Sequence, residues 1–293
     1  LLAGLVRLAG RRLLAPVKAI VGLISVRSTE SLAPVEVPVV YAETAPLLEV
    51  LNRLLADARR RIEDERGFLA DAAHELRTPL AVVATQAHLL AIADTEVDRS
   101  QALADLNAGL ERASHLARQL LTSARVDGRD QADVVAIEDI VPLVQERVAL
   151  QVRIALRKAI QVTLDAPHFL PARVDAFGIA SVIDNLVDNA IRYTPNEGRI
   201  EVRLEITADS ICIQVSDSGP GIPATEHEKV LQRFYRLPGS GVPGSGLGLC
   251  IVSRVVEQHN GQLSFGPGLD GKGLSVRICL PRSPEADPPL ITM

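Results

Sequence analysis

Between Glu43 and about Ile92 the apolar residues fall into one stripe. Leu51, Leu55, Ala58, Ile62, Leu69, Ala72 and Leu76 alternate steps of four and three, with Glu65 the one polar member. That spacing places one side chain after another on a single seam of a helix that packs against other helices. After a break at ADTEVD (93–98), Leu103, Leu106, Leu110, Ala113, Ala117, Leu120 and Ala124 repeat the rhythm. Two helices joined by a short polar turn make an antiparallel hairpin. Such a pair encloses little core, so the pattern predicts that two copies of the chain pair into a four-helix bundle.

Beyond the polar stretch VDGRDQAD (126–133) the texture changes. Short β-rich runs appear at IQVTLD (160–165), RIEVRLEIT (199–207), SICIQVSD (210–217) and LSVRICLP (274–281). Helical runs separate them: DIVPLVQERVALQVRIAL (139–156), DAFGIASVIDNLVDNAIRY (175–193) and LGLCIVSRVVEQHN (247–260). Strands mixed with amphipathic helices predict a two-layer α/β domain behind the all-α part. The tail from 283 to 293 is rich in proline and is expected to be disordered.

The length of 293 residues suffices for two or three modest domains. Aromatic residues make up 3% and tryptophan is absent, so the cores must be aliphatic. A formal charge of −5 speaks against a broad nucleic-acid footprint. Cys212, Cys250 and Cys279 lie far apart, without metal-ligand spacing, and are expected to be buried reduced thiols. The opening LLAGLV is too short to span a bilayer. With Arg7, Arg11, Arg12 and Lys18 behind it, it is expected to be the tail of a membrane-spanning helix. A basic amphipathic helix is the alternative.

The segment AAHELRTPL (72–80) places His74 at heptad position f if Leu69 is a and Ala72 is d, so the histidine points away from the seam. Thr78 stacks one turn later. Because Thr78 stands where HExxH needs its second histidine, zinc-protease chemistry is excluded. Pro79 removes a helix hydrogen bond and is expected to bend the helix beside the histidine.

Three further segments suggest nucleotide chemistry. DNLVDNAIRYTP (184–195) sets Asn185 and Asn189 four apart on one helical face, and amide oxygens suit Mg²⁺. Two surface asparagines would satisfy the same spacing. DSGPGIP (217–223) follows a strand, with Asp217 able to accept from an exocyclic amine and Gly219 and Gly221 allowing close backbone approach. A strand-ending turn would have the same composition. PGSGVPGSGLGLCIV (238–252) leads Gly244, Gly246 and Gly248 into a helix N-terminus, a setting that favours phosphate.

In chain order, AAHELRTPL, DNLVDNAIRYTP, DSGPGIP, RFYR (233–236) and GSGLGL (244–249) resemble the H, N, G1, F and G2 boxes of bacterial sensor histidine kinases. The resemblance covers about residues 40–282, and RRLLAPVKAI with ETAPLLEVLNRLL is similar to a HAMP relay. It implies a HAMP-like segment at 1–60, a dimerisation and phosphotransfer hairpin at 61–127, and an ATP-binding domain at 134–282. His74 would be the phospho-acceptor, Glu75 would orient it or take its proton, and Thr78 would orient a hydrolytic water. Asn189 and Asn185 would engage Mg²⁺, and Arg192 a phosphate. Asp217 would read adenine beside Tyr193, with Gly219 and Gly221 close to the base. Arg233 and Arg236 flank Phe234 at the edge of a lid that is short for the family, and either would reach the γ-phosphate. Gly244, Gly246, Leu247 and Gly248 would form the phosphate loop. The implied cofactors are ATP and Mg²⁺. The implied partners are a second copy of the chain, a response regulator and, through upstream segments, the inner membrane, with this region cytoplasmic. A phosphatase-dominant sensor and a gyrase- or chaperone-like ATPase are the alternatives. His88, His115, His168, His227 and His259 share no spacing and are expected to be structural or solvated.

Overall fold

The computed structural model describes residues 32–36, 45–127, 136–207, 209–239, 241–242 and 244–282. Most of the relay segment expected at 1–60, the polar stretch from 128 to 133 and the tail at 283–293 lie outside the described residues. The chain divides into two compact units, residues 1–73 and 74–293.

The first unit is dominated by the start of α1 (Ala45–Ala91), a helix rich in Ala, Leu, Arg and Glu that continues through Pro79. The buried Val35 is held by Asn52, whose Oδ1 accepts from the Val35 N–H at 2.6 Å and whose Nδ2 donates to its carbonyl at 3.1 Å. Along the seam Leu51, Leu55 and Ala58 are half-buried, Ile62 and Leu69 are exposed, and Ala72 is buried.

In the second unit, α1 is followed by α2 (Glu96–Asp127). Thr95 opens it, accepting from the Asp98 N–H at 3.1 Å and donating to the Asp98 carboxylate at 2.6 Å. This is N-terminal capping by a side-chain oxygen. A Cβ on Gly109 would come within 3.0 Å of Val83, so glycine allows the hairpin helices to approach here. Within this one chain, the covered face of α2 is not the whole of the predicted stripe. Leu103 and Leu110 are exposed, whereas Ala102, Gly109, Ala113, Leu116, Ser123 and Val126 are buried. Leu116 and Val126 belong to the core of the α/β domain, and Leu76 and Leu120 pack against it. The face of α2 beside the predicted seam is therefore the one covered within this chain.

The α/β domain contains β1 (Ala136–Asp139), α3 (Ile140–Arg157), β2 (Gln161–Asp165), β3 (Pro171–Val174) and α4 (Ala176–Tyr193). β4 (Arg199–Ile206), β5 (Ser210–Asp217), α5 (Gly248–Gln258), β6 (Gln262–Pro267) and β7 (Leu274–Pro281) complete it. The five-stranded sheet has the order β2-β4-β5-β7-β6, and β1 pairs with β3 separately. Only β2 and β4 are parallel; the other pairs are antiparallel. Along β4 burial alternates, with Ile200, Val202 and Leu204 turned inward. The inward face meets Val144 and Val148 of α3, Ile179, Val182 and Ile183 of α4, and Ile251, Val252 and Val255 of α5. Each such side chain contributes about 1.5–3 kcal/mol through burial. The opposite face carries Arg203 paired with Glu201 and Asp165, and Arg277 paired with Glu205. Those ion pairs keep that face wet and add little stability.

The expectation of three separate reduced thiols is corrected. Cys212 of β5 and Cys279 of β7 are partners in the strand register, with Cα atoms 4.1 Å apart, and they form a disulfide. The 67 intervening residues conceal the pair in the sequence. Cys250 remains a thiol.

Candidate functional site

Helix α4 organises the site, and four contacts fix it. Asp175 caps its N-terminus, accepting from the N–H groups of Phe177 and Gly178. His259 accepts from the Asp175 N–H through Nε2 at 3.1 Å, so its Nδ1 carries the proton and donates to the Val255 carbonyl at 2.8 Å. This ties the start of α4 to the end of α5. At the other end the Lys158 ammonium donates to the carbonyls of Ile191, Arg192 and Thr194 at 2.8, 3.0 and 3.3 Å. A cation there also opposes the negative end of the helix dipole. On the flank, Arg147 of α3 grips Asp184 with two hydrogen bonds.

Beside α4 lies a cavity of about 340 Å³, within the size range of small-molecule sites. Asn189, Arg192 and Tyr193 line it from α4, and Asp217 and Gly221 line it from the end of β5 and the turn beyond. Arg236, Gly244, Gly246 and Gly248 close it from the lid and the start of α5. Leu186, Ala190, Val215, Ile222, Leu274 and Val276 form an apolar wall, which suits a flat base. Of the residues singled out from the sequence, Asn185, Gly219, Arg233, Phe234 and Leu247 do not line the cavity. Leu247 is fully buried below it, and Phe234 packs against the core. Gly219 supports the site from outside, because a Cβ there would come within 2.9 Å of both Asp217 Oδ1 and the Tyr193 carbonyl.

Asp217 is 7% exposed. Its Oδ1 accepts from Gly219 N–H at 2.8 Å and Leu274 N–H at 3.1 Å. Its Oδ2 has no hydrogen-bond partner among the described residues. Burial pushes the carboxyl above the usual aspartate range, and the two backbone donors oppose that shift. The group is thus an oriented acceptor held at an apolar wall.

The glycine loop meets the asparagines directly. A Cβ on Gly248 would lie 3.1 Å from both Asn185 Oδ1 and Asn189 Nδ2. Gly246 has φ +72°, and a Cβ there would come within 2.6 Å of the Phe234 and Tyr235 backbone. The Phe234 N–H donates to the Gly246 carbonyl at 3.1 Å, which joins the RFYR segment to the loop. Bare glycine backbone, two amide oxygens on one helix face and a guanidinium at the rim fit a magnesium nucleotide chemically.

His74 and Thr78 are exposed on α1 and Glu75 is half-buried beside them; none of the three lines the cavity. Two residues without a sequence signal do reach the site, both from α2. Gln119 lines the cavity, donates to Asn185 Oδ1 at 3.3 Å and accepts from the Ser245 hydroxyl. His115, one turn earlier, lies 3.3 Å from Arg192 Nη2 and 3.8 Å from Asp188. A glutamine and a histidine on a polar helix face look like solvated residues until the domain behind them is in place.

Two family descriptions match this arrangement. Residues 64–129 match His Kinase A (phospho-acceptor) domain, and residues 174–284 match Histidine kinase-, DNA gyrase B-, and HSP90-like ATPase. Sensor protein kinase PmrB of Pseudomonas aeruginosa is 37% identical over 291 residues, which are 99% of this chain and 61% of that protein. Signal transduction histidine-protein kinase/phosphatase MprB of Mycolicibacterium smegmatis is 35% identical over 277 residues, 90% of this chain and 55% of its own. The chain thus spans only about three fifths of the length of these relatives. The solved structure of histidine kinase ThkA in complex with response regulator protein TrrA shares the fold at a TM-score of 0.61. It is 20% identical, over 78% of this chain and 65% of that one. The chain belongs to the bacterial two-component sensor histidine kinases.

Proposed function

We propose that this chain phosphorylates its own His74 from ATP and passes the phosphoryl group to an aspartate of a response regulator. The observation that carries the reading is a division of labour. His74 stands exposed on a helix, while a separate cavity gathers Asn189, Asp217 and three loop glycines. In the transfer a neutral ring nitrogen of His74 attacks the γ-phosphorus, the bond to the bridging oxygen breaks, and ADP leaves. Glu75 orients the ring or takes its proton. The transfer needs positioning and electrostatic stabilisation more than a strong base.

Asp217 accepts from the adenine amine through Oδ2, and Tyr193 flanks the base. Arg192 and Arg236 at the rim reach phosphate oxygens, and the Gly244–Gly248 backbone wraps them. Asn189 and Asn185 are the residues that would hold Mg²⁺, which when bound neutralises phosphate charge. Phe234 and Leu247 act from behind the cavity by fixing the lid, in which Arg233 stands next to Phe234.

The division of the chain follows: a relay segment over 1–60, a hairpin over 61–127 and the ATP-binding domain over 134–282. Two copies pair through the exposed seam residues of α1 and α2, and upstream segments anchor the protein in the inner membrane with this region in the cytoplasm. Thr78, exposed one turn from His74, supports a phosphatase activity toward the same regulator. The relative MprB carries both activities in its name.

Incubation with γ-labelled ATP, followed by mapping of the acid-labile phosphate, tests the reading. His74→Gln should abolish labelling while nucleotide binding persists, and Asn189→Ala should weaken Mg²⁺-dependent labelling. Undiminished labelling of His74→Gln would refute the assignment.

A further inference from the structure

The face of α2 that meets the α/β domain touches the side chains that the nucleotide site needs. Gln119 donates to Asn185 Oδ1 and accepts from Ser245, whose hydroxyl in turn accepts from the Leu247 N–H at 3.1 Å in the glycine loop. His115 abuts Arg192, which is also paired with Asp188 at 2.7 Å. Below them, Arg125 lies over the Phe177 ring at 5.5 Å, Gln258 donates to the Val126 carbonyl, and Leu116 and Val126 enter the core. One helix face thus binds the domain by its apolar residues and places two polar side chains on the asparagine helix and the loop.

We propose that Gln119 and His115 form an autoinhibitory clasp that competes with the magnesium nucleotide for Asn185, Ser245 and Arg192. The proposal rests on the nucleotide reading of the cavity. A divalent cation on Asn185 Oδ1 and the Gln119 N–H pointing at the same oxygen repel each other. A phosphate drawing on Arg192 and the loop backbone likewise displaces His115 and the Ser245 contact. Nucleotide loading and docking of α2 are therefore negatively coupled, and by linkage each weakens the other by the same factor. Loading releases the ATP-binding domain from α2 and lets it travel to His74. Gln119 is a positioning residue for this equilibrium, acting through Asn185 and Ser245.

The test uses the full chain with Mg²⁺ and the non-hydrolysable analogue AMPPNP. Gln119→Ala should bind the analogue at least about fivefold more tightly than wild type, the lower end of common coupling factors. Its initial His74 labelling at subsaturating ATP should rise correspondingly. In wild type, adding the analogue should speed hydrogen exchange over residues 115–126, a readout that needs no variant. Unchanged or weaker binding by Gln119→Ala, with normal labelling of His74, overturns the clasp alone. Slower exchange over 115–126 on loading overturns it as well. Failure of wild type to bind the analogue overturns both this proposal and the nucleotide reading.

Discussion

Arg147 and Asp184 are joined by a two-pronged ion pair, with Arg147 Nε donating to Asp184 Oδ1 at 2.8 Å and Nη2 to Oδ2. The pair fastens α3 to α4 at the residue immediately before Asn185. The Asp184 hydrogen bond is the main reason the guanidinium pKa is raised. Arg147→Ala should lower stability by about 1.5 kcal/mol, the usual cost of losing a charged hydrogen-bonding partner. Urea denaturation would measure this. Nucleotide affinity should fall with it, because the helix carrying both asparagines loses its lateral support.

The glycine loop should separate fold from binding. Gly248→Ala begins a helix and adds a Cβ 3.1 Å from the side-chain tips of Asn185 and Asn189. The melting temperature should hold while nucleotide binding falls about tenfold, a cost of about 1.4 kcal/mol. Gly246→Ala forces a positive φ and a 2.6 Å contact with backbone atoms, so stability and binding should fall together. Thermal melts beside titration calorimetry would distinguish the two.

His115 gives the docked state a pH dependence. Burial is the largest influence on its ring and lowers the pKa; Asp188 raises it, and Arg192 and Arg118 lower it. The docked ring therefore favours the neutral form, whereas a released ring titrates near pH 6.5. As pH falls below about 6.5 the released state binds the proton first, so docking weakens; above it, docking keeps its full strength. Hydrogen exchange over 115–126, corrected for intrinsic rates, should show this loosening. His115→Ala should remove the pH step.

The Cys212–Cys279 bridge should be visible by thiol counting. Unfolded without reductant, the protein should alkylate at Cys250 alone; with reductant, all three cysteines should react. Reduction should cost about 2–4 kcal/mol, the usual range for a closed loop of this kind. Alkylation of three thiols without reductant would show the strands pairing without the bond.

Much of this molecule is written locally. The long helices follow from heptad spacing, β5 and β7 span the residues that their β-rich composition marks out, and the exposure of His74 follows from its place opposite the seam. The asparagine and glycine segments also announce themselves, because backbone approach to a phosphate needs those residue types at that spacing. The short strands β1 and β3 carry too few residues to show a period and exist through each other.

Apolar spacing alone determined that α2 would bury a face; only the tertiary structure decided that residues 102, 109, 113, 116, 123 and 126 are the ones covered within the chain itself. The reason is physical: a stripe records that a helix has an apolar side, but several surfaces can cover it, and the one that does is chosen by shape across distant parts of the chain. The same holds for Cys212 with Cys279 and for Gln119 with Asn185, 67 and 66 positions apart. Residue type and spacing fixed which groups could do the chemistry, and long-range packing decided which of them meet.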